Sequence, residues 1–137
     1  MKKTFFLSLV MLFLASLSSA QEAKYQLSSH ILDINKGMPV AHVKIGLSKK
    51  DANGQWVFVD EKFTDENGRV KNFLKQDNNS DNQGIYKLTF YTAPYFKKLG
   101  EESFYPFVEV VFQIKGKNHY HVPITLSPFG YSTYRGS

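Results

Sequence analysis

The chain has 137 residues, with 17 Lys or Arg against 12 Asp or Glu, a net charge of +5, and no cysteine. Disulfides and thiolate chemistry are therefore excluded, so the fold has to be stabilised by its core or by contacts between subunits. The basic residues are scattered along the chain rather than grouped in a stripe, so we do not expect nucleic-acid binding.

Residues 1–20 have the composition of a signal peptide. Lys2 and Lys3 precede an apolar run at 5–17, and small residues follow it up to Ala20. The run is shorter than the roughly 20 apolar residues of a membrane span, although an uncleaved N-terminal anchor is the alternative. We predict cleavage after Ala20, export to the bacterial periplasm without a stable membrane anchor, and one mature domain at 21–137.

From residue 25 onward, short strands alternate with turns. Predicted strands cover residues 25–34, 41–47, 55–64, 69–73, 85–92, 107–114, 119–126 and 131–134, and Asn53-Gly54 and Asn67-Gly68 mark two of the turns. Pro94 near the beginning and Gly100 at the end predict one short helix at 93–99. The pattern favours an all-β fold, an antiparallel β-sandwich of two sheets with a single short helix.

Two histidines lie on polar strand faces. In the strand at 119–126, Tyr120 and Val122 alternate with His119 and His121, and the apolar set is expected to face the core. His30 lies near the middle of the first strand, in phase with Ser28 and Leu32. A neutral imidazole is the natural base for activating water near neutral pH.

The other polar candidates are weaker. His119 and His121 have the spacing of some metal sites, but no carboxylate or third histidine accompanies them, so we predict no metal. His42 points away from the apolar side of its strand and is expected to be solvated. No nucleophile motif is present, which favours activated water over a covalent intermediate.

The C-terminal residues carry a specific signature. They read Ser127-Pro-Phe-Gly-Tyr-Ser-Thr-Tyr-Arg-Gly-Ser137, which resembles the end of the 5-hydroxyisourate hydrolases, the transthyretin-like enzymes of urate breakdown. Three further segments resemble that family: Leu27-Ser-Ser-His-Ile-Leu-Asp33 with Gly37 and Pro39, Phe104-Tyr-Pro106, and His119-Tyr-His-Val-Pro123. The order of strands, with one helix after the fifth, is similar to the transthyretin-like fold.

The resemblance implies a function in purine metabolism. It implies hydrolysis of 5-hydroxyisourate to 2-oxo-4-hydroxy-4-carboxy-5-ureidoimidazoline without a cofactor, with His30, Arg69 and His121 as catalytic residues. It also implies that His30, Arg69, Tyr134 and Ser137 bind the substrate. By the same resemblance the protein is expected to be a homotetramer whose sites lie between subunits. A non-catalytic carrier of the transthyretin type, or an exported metal-binding protein using His119 and His121, are the alternatives.

Overall fold

The computed structural model describes residues 22–137. These residues form ten strands and one short helix, in this order: β1 (Lys24–Asp33), β2 (Met38–Pro39), β3 (Lys44–Lys50), β4 (Trp56–Phe63), β5 (Arg69–Gln76), β6 (Gly84–Phe90), α1 (Ala93–Lys98), β7 (Val108–Ile114), β8 (Tyr120–His121), β9 (Ile124–Ser127) and β10 (Gly130–Thr133). The predicted helix at 93–99 is confirmed to within one residue.

The strands form two sheets, and β1 is the centre of the first. It pairs antiparallel with β5 and β2 and parallel with β8 and β9, and β10 is paired to β9. The second sheet has the antiparallel order β4-β3-β6-β7. The predicted two-sheet, all-β sandwich is confirmed. The parallel pairing of β1 was not predicted, and it becomes possible because the chain crosses the other sheet before it returns as β8.

The core lies between the two sheets, where the alternation along each strand directs apolar side chains inward. In β1 Leu27 and Ile31 are fully buried, and in the second sheet Ile45 and Leu88 face them from β3 and β6. Tyr120, Val122, Ile124 and Leu126 are all buried, as their alternation in the sequence predicted. Ser28, His30 and His121 are among the residues at outward positions of the first sheet.

The helix α1 is attached to the end of β1. Phe96 is its buried residue, and the Tyr95 hydroxyl donates a hydrogen bond to the carboxylate of the buried Asp33 at 2.6 Å. Burial, followed by this bond to Asp33, raises the pKa of Tyr95 far above its usual range. The hydroxyl therefore remains protonated, and a donor, at neutral pH.

Three of the predicted strands differ most from the strands in the structure. The strand predicted at 119–126 is divided into β8 and β9, because Pro123 has no N–H for the ladder. The strand predicted at 41–47 begins only at Lys44, because His42 has a positive φ of 61° that interrupts an extended backbone. The strand predicted at 69–73 continues to Gln76.

The predicted signal peptide lies outside the described residues, so cleavage after Ala20 and export stay predictions. Within residues 22–137 no helix has the length and hydrophobicity of a membrane span. The domain boundaries 21–137 likewise stay a prediction.

Candidate active site

The three predicted catalytic residues lie on one face of the first sheet. β1 carries Ser28 and His30 on its outer face, half-buried, between residues that point into the core. On one side of β1, His30 is paired with Arg69 of β5, and on the other side Ser28 is paired with His121 of β8. Side chains directly opposite each other on neighbouring strands are about 5 Å apart. The central strand thus brings His30, Arg69 and His121 into one cluster.

A β-bulge puts Arg69 opposite His30. Leu27 is paired with Phe73 and Ser29 with Val70, so β5 uses one residue more than β1 between these pairs. Without that extra residue the partner of His30 would be Val70, whose side chain belongs to the core. The bulge keeps Val70 inward and places the guanidinium on the histidine face, a use of bulges common beside functional sites.

The turn before β5 holds the backbone of Arg69. The Asp65 carboxylate accepts hydrogen bonds from the backbone N–H of Asn67 at 2.9 Å and of Arg69 at 3.0 Å. These bonds, that of Arg69 first, lower the pKa of Asp65. The Gly68 carbonyl accepts from the Ile31 N–H at 2.9 Å, which joins the turn to β1. Arg69 therefore begins its strand from a fixed backbone, while its side chain is exposed.

His121 is held on two sides of its ring. Its Nδ1 lies 2.8 Å from the Ser28 hydroxyl. Gly136 pairs with His121 in an antiparallel bridge, and the Gly136 N–H donates to the His121 carbonyl at 2.8 Å. A Cβ on Gly136 would collide with Cδ2 of the imidazole and lie 3.2 Å from Cγ. The ring is therefore packed against the backbone of the C-terminal segment, which requires glycine there.

Both site histidines are shifted toward the neutral form. The pKa of His121 is lowered first by burial and then by the positive charges of Arg69, His30 and His119. Burial and Arg69 also lower the pKa of His30, against smaller opposing contributions from Asn67 and Asp65. Neutral imidazoles at neutral pH accept protons, so the cluster combines two bases with Arg69, whose charge is permanent.

The C-terminal segment, residues 134–137, follows the outer edge of β8. The Arg135 guanidinium lies over the Tyr120 ring, 4.3 Å from its centroid, and Gly136 reaches His121. Ser137, the next residue, is exposed. Tyr134 is 58% exposed and lines a cavity of about 510 Å³ between β7 and the segment. None of His30, Arg69 and His121 lines that cavity, so Tyr134 lies apart from their cluster.

Comparison with known proteins shows which family the chain belongs to. Residues 27–136 match the family model described as Transthyretin, the HIUase/Transthyretin family. A probable 5-hydroxyisourate hydrolase of Caenorhabditis elegans is 48% identical over 112 residues, which is 81% of each chain. The 5-hydroxyisourate hydrolase of Mus musculus is 42% identical over 113 residues, 81% of this chain and 94% of its own.

The chain belongs to the HIUase/transthyretin family.

Solved members of the family share the fold. The 5-hydroxyisourate hydrolase of Klebsiella pneumoniae aligns with a TM-score of 0.67 at 32% identity, covering 85% of this chain and all of that one. Sea bream transthyretin, solved in complex with thyroxine, aligns with a TM-score of 0.73 at 33% identity, covering 81% and 94%. The fold alone therefore does not distinguish hydrolase from carrier, and the residues of the face have to.

Sequence reasoning missed Ser28, which touches two histidines of this family member. Its hydroxyl lies 2.9 Å from His119 Nε2 as well as 2.8 Å from His121 Nδ1. The signal was present, because Ser28 is in phase with His30 on the outer face of the first strand. Hydrogen bonds occupy both ring nitrogens of His119 and the Nδ1 of His121, and residues 22–137 contain no group of three or more potential His, Cys, Asp or Glu ligands.

His42 lies away from the cluster. It is 73% exposed and its Nε2 is 2.8 Å from the Glu66 carboxylate, at the surface. The expectation that it is solvated therefore agrees with its position, and the nearby carboxylate of Glu66 is a partner that the sequence did not indicate.

Proposed function

We propose that this protein hydrolyses 5-hydroxyisourate to 2-oxo-4-hydroxy-4-carboxy-5-ureidoimidazoline, a step in the degradation of urate. The observation that carries the proposal is the cluster of two histidines and one arginine on an open sheet face. Relatives named 5-hydroxyisourate hydrolases, 41–48% identical over about four-fifths of this chain, support the same reaction.

In this proposal a neutral histidine activates the water. His121 takes a proton from the water as it attacks an amide-type carbonyl of the six-membered ring, and His30 lies in position to share that task. The C–N bond then breaks and the ring nitrogen receives the proton. The lowered pKa of both histidines supports these roles, because a base has to be unprotonated before water is attacked.

Arg69 is proposed to serve both binding and chemistry. Its planar guanidinium suits the oxygen and nitrogen edge of a purine-derived ring. A fixed cation beside the attacked carbonyl also stabilises the oxyanion that develops there. Ser137 and Tyr134 are proposed to close the pocket and to hydrogen-bond the substrate, which for Tyr134 requires movement of the segment or a contact with another subunit.

We further propose that the working form is a homotetramer exported after cleavage of residues 1–20. β7 and β10 are the terminal strands of their sheets in the described part of the chain, and unpaired strand edges are available for pairing with another copy. Val111 on β7 and Tyr131 on β10 are exposed at 58% and 41%. Light scattering at micromolar protein tests the mass, and a monomeric value would contradict the tetramer.

The activity is tested with freshly generated substrate, whose spontaneous loss of ultraviolet absorbance sets the baseline. The purified protein should accelerate that loss, and His121→Ala should reduce kcat by ~10² to 10⁴, the usual contribution of a general base. His42→Ala is the matched control, since it removes a histidine away from the cluster and should leave the rate unchanged. A decay no faster with protein than without it would favour the carrier.

Deleting residues 135–137 tests the C-terminal segment separately. It should abolish most of the turnover while circular dichroism still reports a folded sandwich, because none of these residues belongs to the buried core. Retained turnover after the deletion would remove the segment from the site.

A further inference from the structure

We propose that Tyr25, His119 and Ser28 form a hydrogen-bonded chain that fixes the tautomer of His121, with its proton on Nδ1 and its lone pair on Nε2. Only the catalytic meaning of this tautomer rests on the proposed function, because the tautomer itself is a property of the resting protein. His119 and Ser28 are then positioning residues, since they act through His121.

The donor and acceptor of each hydrogen bond in this chain follow from the bond between His119 and Tyr25. His119 Nδ1 lies 3.0 Å from the Tyr25 carbonyl oxygen, which only accepts, so this nitrogen carries a proton. In a neutral imidazole the other nitrogen is then an acceptor. His119 Nε2, 2.9 Å from the Ser28 oxygen, therefore accepts the hydroxyl proton.

The same step is repeated at Ser28. A serine hydroxyl has a single proton, and here it is donated to His119. Toward His121, whose Nδ1 is 2.8 Å away, the Ser28 oxygen must accept, so His121 Nδ1 carries a proton. The lone pair of the neutral ring is then on Nε2, the nitrogen that the hydrogen bonds of the described residues leave without a partner.

Packing fixes the ring orientation that the hydrogen bonds define. Gly136 lies against the Cδ2 edge of His121, while Ser28 holds Nδ1. Rotating the ring by half a turn would exchange Nδ1 with Cδ2 and lose the bond to Ser28. Orientation and tautomer are thus set together, in the way that an outer partner sets them for a metal-bound or triad histidine.

Two substitutions interrupt the chain at different points. Ser28→Ala removes the acceptor of the His121 Nδ1 proton. His119→Phe keeps a ring but removes the acceptor of the Ser28 proton, so that Ser28 becomes free to donate to His121 instead. Ser28→Thr is the matched control, because it keeps a hydroxyl at the same position, and His42→Ala removes a histidine outside the chain.

The first measurement is the tautomer itself. In the full protein labelled with ¹⁵N-histidine, at a pH of about 8 where histidine is neutral, two-bond ¹H–¹⁵N correlation distinguishes protonated from unprotonated ring nitrogens. We expect Nδ1–H for His121 in the wild type, in Ser28→Thr and in His42→Ala. Ser28→Ala and His119→Phe should shift His121 toward Nε2–H. A wild-type His121 protonated on Nε2, or an unchanged pattern in both chain variants, would overturn the proposal.

The second measurement is kcat/KM with 5-hydroxyisourate. Ser28→Ala and His119→Phe should lower kcat/KM roughly 10- to 100-fold, as when a partner that orients a functional imidazole is removed. Ser28→Thr should retain most of the wild-type kcat/KM. If no variant or wild type accelerates the decay but the tautomers behave as expected, the proposed function fails and the tautomer assignment stands. Full activity in Ser28→Ala together with an altered tautomer would overturn the positioning role.

Discussion

Two turns of this protein have nearly the same sequence and the same local structure. Asp51-Ala-Asn-Gly-Gln55 joins β3 to β4, and Asp65-Glu-Asn-Gly-Arg69 leads into β5. In each, the aspartate Oδ1 accepts two backbone N–H bonds, from Asn53 and Gln55 at 2.9 and 2.8 Å in the first. The second turn has the corresponding bonds from Asn67 and Arg69, at 2.9 and 3.0 Å.

The turns differ in what surrounds them. Gly54 has φ of 77° and Gly68 of 70°, so both glycines adopt a left-handed conformation. A Cβ on Gly54 would meet only the end of the Lys50 side chain, at 3.9 Å. A Cβ on Gly68 would lie 2.7 Å from the Ile31 carbonyl and 2.9 Å from the Val40 nitrogen. The second turn is therefore packed against the backbone of the first sheet, while the first is open to solvent.

The shared sequence is enough to form the turn, but only the contacts of the second turn with β1 position a residue of the candidate site. Gln55 is followed by β4, the exposed edge strand of the second sheet, whereas Arg69 is the first residue of β5 and is paired with His30. Substituting matched positions in the two turns separates the contribution of the motif from that of its surroundings.

The largest expected effect is on activity, at the last residue of each turn. Arg69→Ala should lower kcat/KM by ~10² to 10³, the range for loss of one oxyanion-stabilising group, and should weaken substrate binding too. Gln55→Ala should change neither parameter. The check is steady-state kinetics with 5-hydroxyisourate, and equal activities for the two variants would remove Arg69 from the mechanism.

The next largest difference should be in the free energy of unfolding, when the glycine of each turn is replaced by alanine. Gly68→Ala forces a Cβ into backbone atoms at a positive φ, so we expect a loss of about 3 kcal/mol in the free energy of unfolding. Gly54→Ala has the same backbone strain without the collision and should lose about 1 kcal/mol. Urea unfolding of both variants measures the difference, which vanishes if packing against β1 is unimportant.

Replacing either aspartate by alanine should lower the free energy of unfolding by a similar amount, but the two variants should differ in kcat/KM. Asp51→Ala and Asp65→Ala each remove one acceptor of two backbone bonds, a loss of about 1 kcal/mol. Only Asp65→Ala should also reduce kcat/KM, because only that turn fixes Arg69. Asn at either position keeps an acceptor oxygen and serves as the control. An activity loss of the same size in Asp51→Ala would show a general effect of stability.

The smallest effect expected is on the titration of His121. Its pKa is lowered from 6.5 by burial and by Arg69, so Arg69→Ala should raise that pKa and Gln55→Ala should leave it unchanged. The shifts of the ring protons in NMR measure this pKa.

Since the folded pKa values of His30 and His121 both lie below the unfolded value, the unfolded state binds protons first. Stability should therefore decrease as the pH falls through 6.5. A stability that rises over that range would contradict both shifts.

Most of the fold could be predicted, because the signals for it are local. Alternation along the strand gave the buried face of Tyr120 and Val122, Pro94 gave the helix, and Asn67-Gly68 gave a turn. The predicted strand boundaries were wrong where the backbone of one residue interrupts an alternating sequence. Pro123 divides a strand, and the backbone of His42 delays another.

Strand alternation was therefore sufficient to predict which face of its strand each site histidine occupies, and the C-terminal residues were sufficient to indicate the family. Which of these residues contact one another could be read only from the folded chain. The bulge puts Arg69 opposite His30, and the parallel pairing puts Ser28 opposite His121 across 93 residues of sequence. The physical reason is that a period of two specifies the side of a sheet, whereas register depends on contacts between distant strands.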